Sequence, residues 1–192
     1  MLFTTIMSLL GLFSMGCSEK NEDTSTSTAE PSEETTNTVD DLSWVNPADL
    51  PQGANACREP IRVLVEDVVD GDTFVGQGAD GEERVRIIGV DTPETSSGDC
   101  YAQEAKSFLI TQIFGRHVWL TFDSNCYDIY DRTLAYVHLG TNEQDFLERQ
   151  ILLGGYAHAF PFDDTNTFED LFAADETTAR ENGAGGWSSC GW

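Results

Sequence analysis

Asp70-Gly71-Asp72-Thr73 and, a strand's length later, Arg86-Ile87-Ile88-Gly89-Val90-Asp91-Thr92-Pro93-Glu94 are the stretches on which the fold assignment turns. The β-branched run 61–69 ahead of them reads as a strand, and Asp-Gly is a dipeptide that closes hairpins. Thr73-Phe74-Val75 starts the return strand, Ala79-Asp80-Gly81 makes a second turn, and 83–90 is a third strand. Thr92-Pro93 ends it, because proline cannot extend a hydrogen-bonded ladder. Alternation along this strand places Val85 and Ile87 on one face and Arg84, Arg86 and Ile88 on the other. Arg86 can then look out of a barrel while its neighbours pack inside. Three carboxylates (Asp72, Asp91, Glu94) gather beside it, and a second arginine comes later in Tyr130-Asp131-Arg132-Thr133. Clustered carboxylates suit a hard cation such as Ca²⁺. Paired arginines suit a phosphoryl group whose charge grows in the transition state. The set points to metal-assisted cleavage of a phosphodiester.

Beyond these stretches, 101–114 is helical by its apolar spacing (Ala102, Ala105, Phe108, Leu109, Ile113), and Gly115 stops it. Strands are expected at 117–122 and 133–139. Asn142 can cap a helix running to Leu153, with Phe146, Leu147, Ile151 and Leu152 on its apolar face. A last helix is expected at 167–182. Five short strands with helices entering late give an α+β class. Trp119 and Trp187 read as packing residues. His117, His138 and His158 are too scattered to form a metal set and read as surface or half-buried.

The 192 residues suit one folded domain with appendages. An apolar run, 2–13, is too short to span a bilayer. Small residues then lead to Gly16-Cys17, after which polarity rises abruptly. Residues 1–17 are therefore expected to be a secretory signal ending in a lipobox-like site, with Cys17 lipidated and the protein exported to the cell envelope. The start carries no Lys or Arg, and Ser14 stands where such boxes usually have Leu; cleavage with soluble release is the alternative. Residues 18–56, rich in Ser, Thr, Glu and Asp, are expected to be a disordered acidic linker, because they offer too little apolar surface to offset ordering entropy. Trp44 and Val45 are expected to be exposed. The folded domain is placed at 57–192, and a monomer is expected. Cys57, Cys100, Cys126 and Cys190 give an even count, which in an exported chain reads as two disulfides with three possible connectivities. No Cys/His spacing fits zinc. The net charge of −24 would repel a polyanion at long range, so any nucleic-acid contact must be local.

Residues 61–187 resemble the staphylococcal (thermo)nuclease family. The resemblance is carried by Val69-Asp-Gly-Asp-Thr73, Arg86, Val90-Asp-Thr-Pro-Glu94, Tyr101-Ala-Gln-Glu-Ala105, Arg132 with Leu134-Ala-Tyr-Val137, and Gly154-Gly-Tyr-Ala157. It implies a five-stranded OB-type Greek-key barrel with about three helices, and a Ca²⁺-dependent nuclease acting on DNA or RNA by in-line attack of water. By the same resemblance Asp72, Asp91 and the Thr92 carbonyl would bind Ca²⁺, and Glu94 would orient or deprotonate the water. Arg86 and Arg132 would grip phosphate oxygens, and Tyr130, Phe160 and Phe162 would contact substrate. Because both loops border the family's active site, Cys100 is paired with Cys126, leaving Cys57 with Cys190.

Three departures stand out. Asp131 occupies a position where the family commonly has Gly, Ile129 one where a substrate-contacting lysine often sits, and Phe160 and Phe162 replace tyrosines. Two other readings compete. One is an OB module that binds nucleic acid without cutting it, which loss of Arg86, Glu94 or Arg132 would favour. The other is a structural envelope lipoprotein, supported only by the acidic surface.

Overall fold

The structure is a computed structural model that describes residues 41–161 and 167–192. Cys17, the expected signal, most of the expected linker and Phe162 lie outside the described residues.

Strands β1 (Ile61–Asp70), β2 (Thr73–Gly78), β3 (Gly81–Ile87), β5 (His117–Thr121) and β6 (Thr133–His138) close a barrel in the order β1-β2-β3-β6-β5. All neighbours are antiparallel except β3 and β6, which run parallel. The α+β class and the five-stranded OB barrel expected from the sequence are thus both present. The β1–β2 hairpin pairs Asp70 with Thr73, so its two turn residues are Gly71 and Asp72. Irregular register in β1 between Val65 and Asp67, and again between Val68 and Asp70, lets this long strand coil around the barrel.

The third expected strand is broken in two. β3 ends at Ile87, and β4 (Gly89–Asp91) leaves the barrel to pair with β7 (His158–Phe160). The break falls at Gly89, whose φ of +82° is left-handed and whose missing Cβ makes room for the Phe172 ring. This diversion carries Asp91 away from the barrel wall and over the β1–β2 turn.

Helix α1 (Ala102–Ile113) buries Ala102, Ala105, Leu109 and Ile113, and half-buried Phe108 stacks on Tyr156 at 4.3 Å. Asn142 caps a 3₁₀ turn (Glu143–Asp145) in a reciprocal pair with Asp145, and α2 (Leu147–Leu153) comes next. Helix α3 (Glu169–Glu181) and the short α4 (Gly186–Ser189) complete the chain. Within the core, Glu148 of α2 is fully buried; one oxygen accepts from the Val137 amide (3.0 Å) and the other has no partner. Burial pushes its carboxyl well above the usual range.

Three expectations need correcting. The stretch 41–56 is part of the fold: Leu42, Val45 and Leu50 are buried against Trp119. The Trp119 indole donates to the Leu42 carbonyl (3.1 Å), and Thr121 donates to the Pro51 carbonyl (2.8 Å). Only Trp44 of the expected pair is exposed; Val45 is buried. A handful of apolar side chains sufficed to dock a segment that its acidic composition suggested would stay free. The disulfides are Cys57–Cys126 and Cys100–Cys190, not Cys100–Cys126 and Cys57–Cys190. The segment before β1 runs beside the one after β5, with the Cys57 amide donating to the Asp123 carbonyl (2.8 Å), which brings Cys57 to Cys126. Cys100, at the start of α1, instead meets the C-terminal tail, where Trp192 packs edge-on against Tyr101. His138 is neither at the surface nor half-buried. It lies inside the fold, its Nε2 sharing a hydrogen bond with the Thr121 hydroxyl (2.8 Å) and its ring against Phe146.

Candidate active site

The site is built from the β1–β2 turn, the end of β3, and β4 with the turn after it. Asp72 is buried (3% exposed). One of its oxygens accepts from the Thr73 hydroxyl (2.9 Å); the other accepts from the Thr92 amide and hydroxyl, both at 3.0 Å. A carboxylate so held ties the turn to the segment beyond β4.

Arg86 lies opposite Thr73 in register and is also buried (5% exposed). Its side chain leaves the face away from Val85 and Ile87, as alternation requires, but β4 covers it. Nη1 donates to the carbonyls of Ile87 (2.6 Å) and Val90 (2.7 Å), clasping the break between β3 and β4. Nη2 donates to Asp91 (2.9 Å) and lies 3.4 Å from Asp72. One terminal nitrogen thus serves two carbonyls while the other faces two carboxylates, a division the planar fork of arginine provides and the single nitrogen of lysine does not.

Asp91 is half-exposed. Loss of hydration and the charge of Asp72 push its carboxyl upward, against the pull of Arg86 and His158. Glu94 is also pushed upward, first by loss of hydration and then by the charges of Asp70, Asp72 and Asp91. Its backbone closes a turn with Asp99: the Glu94 amide donates to the Asp99 carboxylate, and the Asp99 amide to the Glu94 carbonyl, each at 3.2 Å. Asp70 holds the near side of that turn, accepting from the Thr95 hydroxyl (2.6 Å) and amide (3.2 Å). From the sequence Asp70 reads only as a turn residue; its place two residues before Asp72, at the very end of β1, was the available signal. His158 also belongs to the surroundings of the site, which its isolation in the sequence did not show. It pairs with Asp91 across β4 and β7, bonds Glu176 at 3.2 Å and packs against Trp187 and Trp192.

Arg132 and Tyr130 come from the loop between β5 and β6. Parallel pairing sets Arg86 beside Leu134, so this loop enters the barrel next to the Arg86 strand. Arg132 is not drawn into the Asp72 cluster. Its Nε donates to Asp128 (2.6 Å), whose other oxygen accepts from the Arg132 and Tyr130 amides (2.9 and 2.8 Å). Burial pushes the Asp128 carboxyl up, but these donors outweigh it and hold it below the usual range. The guanidinium lies 5.5 Å from the Tyr130 ring centroid, and Tyr130 is exposed. Asp131 has φ +59°, the left-handed conformation that explains why glycine suits this position and why Asp, among the better-tolerated residues there, can replace it. Phe160 is half-exposed at the end of β7, opposite Gly89.

The oxygens of Asp72 and Asp91 and the Thr92 carbonyl are donors that fit a hard cation. The repulsion of Asp91 by Asp72, and of Glu94 by Asp70, Asp72 and Asp91, is a charge imbalance such a cation would relieve. Among the described residues no three acidic, His or Cys side chains are arranged to enclose an ion.

The pattern of the staphylococcal nuclease homologue family matches residues 84–189, more than half of the chain, and the chain belongs to that family. The match contains Arg86, Asp91, Glu94 and Arg132; the Asp72 turn lies ahead of it. Relatives include a thermonuclease of Staphylococcus intermedius, 43% identical over 81 residues (40% of this chain, 48% of the relative). A thermonuclease of Staphylococcus hyicus is 37% identical over 91 residues (45% and 53%), and endonuclease YncB of Bacillus subtilis (strain 168) is 28% identical over 142 residues (70% and 65%). The chain thus spans about half the length of the two staphylococcal relatives.

Proposed function

We propose that this chain is a Ca²⁺-dependent nuclease hydrolysing phosphodiesters of DNA or RNA. The observation that carries the reading is the Arg86 fork, held between Asp72 and Asp91 with the charge-crowded Glu94 close by. Relatives named as thermonucleases and an endonuclease support the same activity.

Asp72, Asp91 and the Thr92 carbonyl would hold Ca²⁺. When bound it supplies Lewis-acid polarisation of a phosphoryl oxygen. Glu94, whose raised proton affinity favours accepting a proton, would orient the attacking water and take its proton. Arg86 already has its fork fixed by two carbonyls, so its Nη2 edge is oriented before substrate arrives. That is the preorganisation which makes a donor effective as negative charge develops. Arg132 uses Nε on Asp128, its terminal amino groups have no hydrogen-bond partner among the described residues, and they would take the phosphate from the other side. Tyr130 and Phe160 would contact the sugar or base.

Digestion of plasmid and single-stranded DNA, with Ca²⁺ and with chelator, tests the reading. Metal-dependent loss of substrate supports it. Retention of DNA without cleavage would favour a binding module, and indifference to DNA a structural role.

For location, the run before Cys17 supports export and a lipid anchor on that residue. Detergent partitioning of wild type and Cys17→Ser tests this: the wild type should partition with the membrane fraction and the variant should not.

A further inference from the structure

Most basic side chains near the barrel already have partners. Arg58 pairs with Glu83, Arg62 with Asp41, Arg149 with Asp175, Arg132 with Asp128, and Arg86 with Asp72 and Asp91. Lys106 donates to the Val69 carbonyl, and Arg180 lies over Trp187. Among the described lysines and arginines only the Arg84 and Arg116 side chains make no ion pair or hydrogen bond. Arg116 belongs to the turn before β5, whereas Arg84 is on β3, the strand that carries Arg86.

Arg84 is exposed and shares the outward face of β3 with Arg86, two residues away, while Val85 between them is fully buried. Two residues of strand span about 6.6 Å, close to the separation of successive phosphates along an extended nucleic-acid strand. The parallel ladder starts with Val85 beside Thr133 and Arg86 beside Leu134, so Arg84 and Arg132 each stand one residue before its first pair. The tip of the β5–β6 loop adds no other cation, since Ile129 and Tyr130 are exposed and Asp131 is acidic. On the far side of Arg84, the next residue of the same face is Glu82, exposed and negative.

Resting on the nuclease reading, we infer that Arg84 is a second phosphate-binding residue, holding the phosphate next to the scissile one on the same strand. An unpaired guanidinium in a strongly acidic protein has no structural partner to give up, so a phosphate gains its full charge-assisted bond. Glu82 closes the track, which therefore accepts two successive phosphates and repels a third.

The test is equilibrium binding of a short single-stranded oligonucleotide in chelator, read by fluorescence anisotropy for wild type, Arg84→Ala and Arg84→Lys. Arg84→Ala should weaken binding about tenfold and reduce the slope of log affinity against log salt by about 0.7, the value of one lost phosphate contact. Arg84→Lys should restore the salt slope and part of the affinity. An oligonucleotide series with single neutral methylphosphonates should contain one position that weakens wild-type binding and adds nothing in Arg84→Ala. Unchanged affinity in Arg84→Ala, a methylphosphonate profile identical in both proteins, or no binding by wild type would overturn the inference. Cleavage by the wild type is read separately, so the nuclease reading stands or falls on its own result.

Discussion

Replacing Arg86 by Met keeps an unbranched apolar stem but takes the guanidinium away from two carbonyls and two carboxylates. Asp72 and Arg86 are 3% and 5% exposed, so the variant leaves a buried carboxylate without its counter-charge. The carbonyls of Ile87 and Val90 lose donors at 2.6 and 2.7 Å in the same step. Breaking a buried ion pair from one side costs about 3–5 kcal/mol. At roughly 2–4 °C per kcal/mol for a domain of this size, the midpoint of thermal unfolding should fall by about 6–20 °C in chelator. The carboxylates of Asp72 and Asp91 then face each other unneutralised, so Ca²⁺ should raise the midpoint more in Arg86→Met than in wild type. Circular dichroism melts of both proteins, with chelator and with millimolar Ca²⁺, measure both effects. A midpoint within about 2 °C of wild type in chelator, or a Ca²⁺ shift no larger than the wild type's, would mean that Arg86 is not the counter-charge of this cluster.

Other parts of the fold carry their own expectations. Non-reducing peptide mapping should recover Cys57–Cys126 and Cys100–Cys190; closing separations of 69 and 90 residues should stabilise the domain by about 4–5 kcal/mol each on the chain-entropy account, so Cys57→Ser with Cys126→Ser should unfold far more readily in urea. Asp131→Gly relieves a left-handed backbone and removes a negative charge beside Arg132, so it should raise stability by up to about 1 kcal/mol in urea titration and raise the initial rate on DNA. Burial lowers His138 to about 4 from 6.5. Between those values the unfolded chain takes up a proton that the folded chain refuses, so about 3 kcal/mol of stability should be lost as pH falls through that window, and His138→Asn should flatten the loss. Glu148 acts in the opposite sense: its folded carboxyl keeps a proton that the unfolded chain releases above pH 4.5, so stability falls as pH rises. Glu148→Gln should therefore gain more stability at pH 8 than at pH 5, and equal shifts at the two pH values would count against the buried acid.

The barrel strands and the Asp72, Arg86, Asp91 grouping were legible because they rest on short-range signals. β-branched runs, Asp-Gly turns and a proline stop fix strand ends, and period-two alternation fixes which face Arg86 leaves. What alternation could not show was that β4 folds back over that face and buries the guanidinium, since this depends on Gly89 yielding space to Phe172 from a distant helix. The disulfide partners were illegible for the same reason. Cys57 meets Cys126 only because the segment before β1 runs along the segment after β5, a contact between chain positions far apart in sequence. The docking of 41–56 rests on Leu42, Val45 and Leu50 against Trp119, too few apolar residues within an acidic composition for a compositional reading to register. Asp128 as the holder of Arg132 was hidden by the resemblance itself, which drew attention to the arginine and not to the residue four positions before it.

Metal-dependent cleavage is tested most directly by the initial rate on single-stranded DNA for wild type, Glu94→Gln and Arg132→Ala, each measured with Ca²⁺ and with chelator. Wild type should cleave only with Ca²⁺, and either variant should be slower by two or more orders of magnitude, as loss of a proton acceptor or of a phosphate donor requires. Wild-type cleavage that persists in chelator, or either variant cleaving at the wild-type rate, would contradict the proposed chemistry.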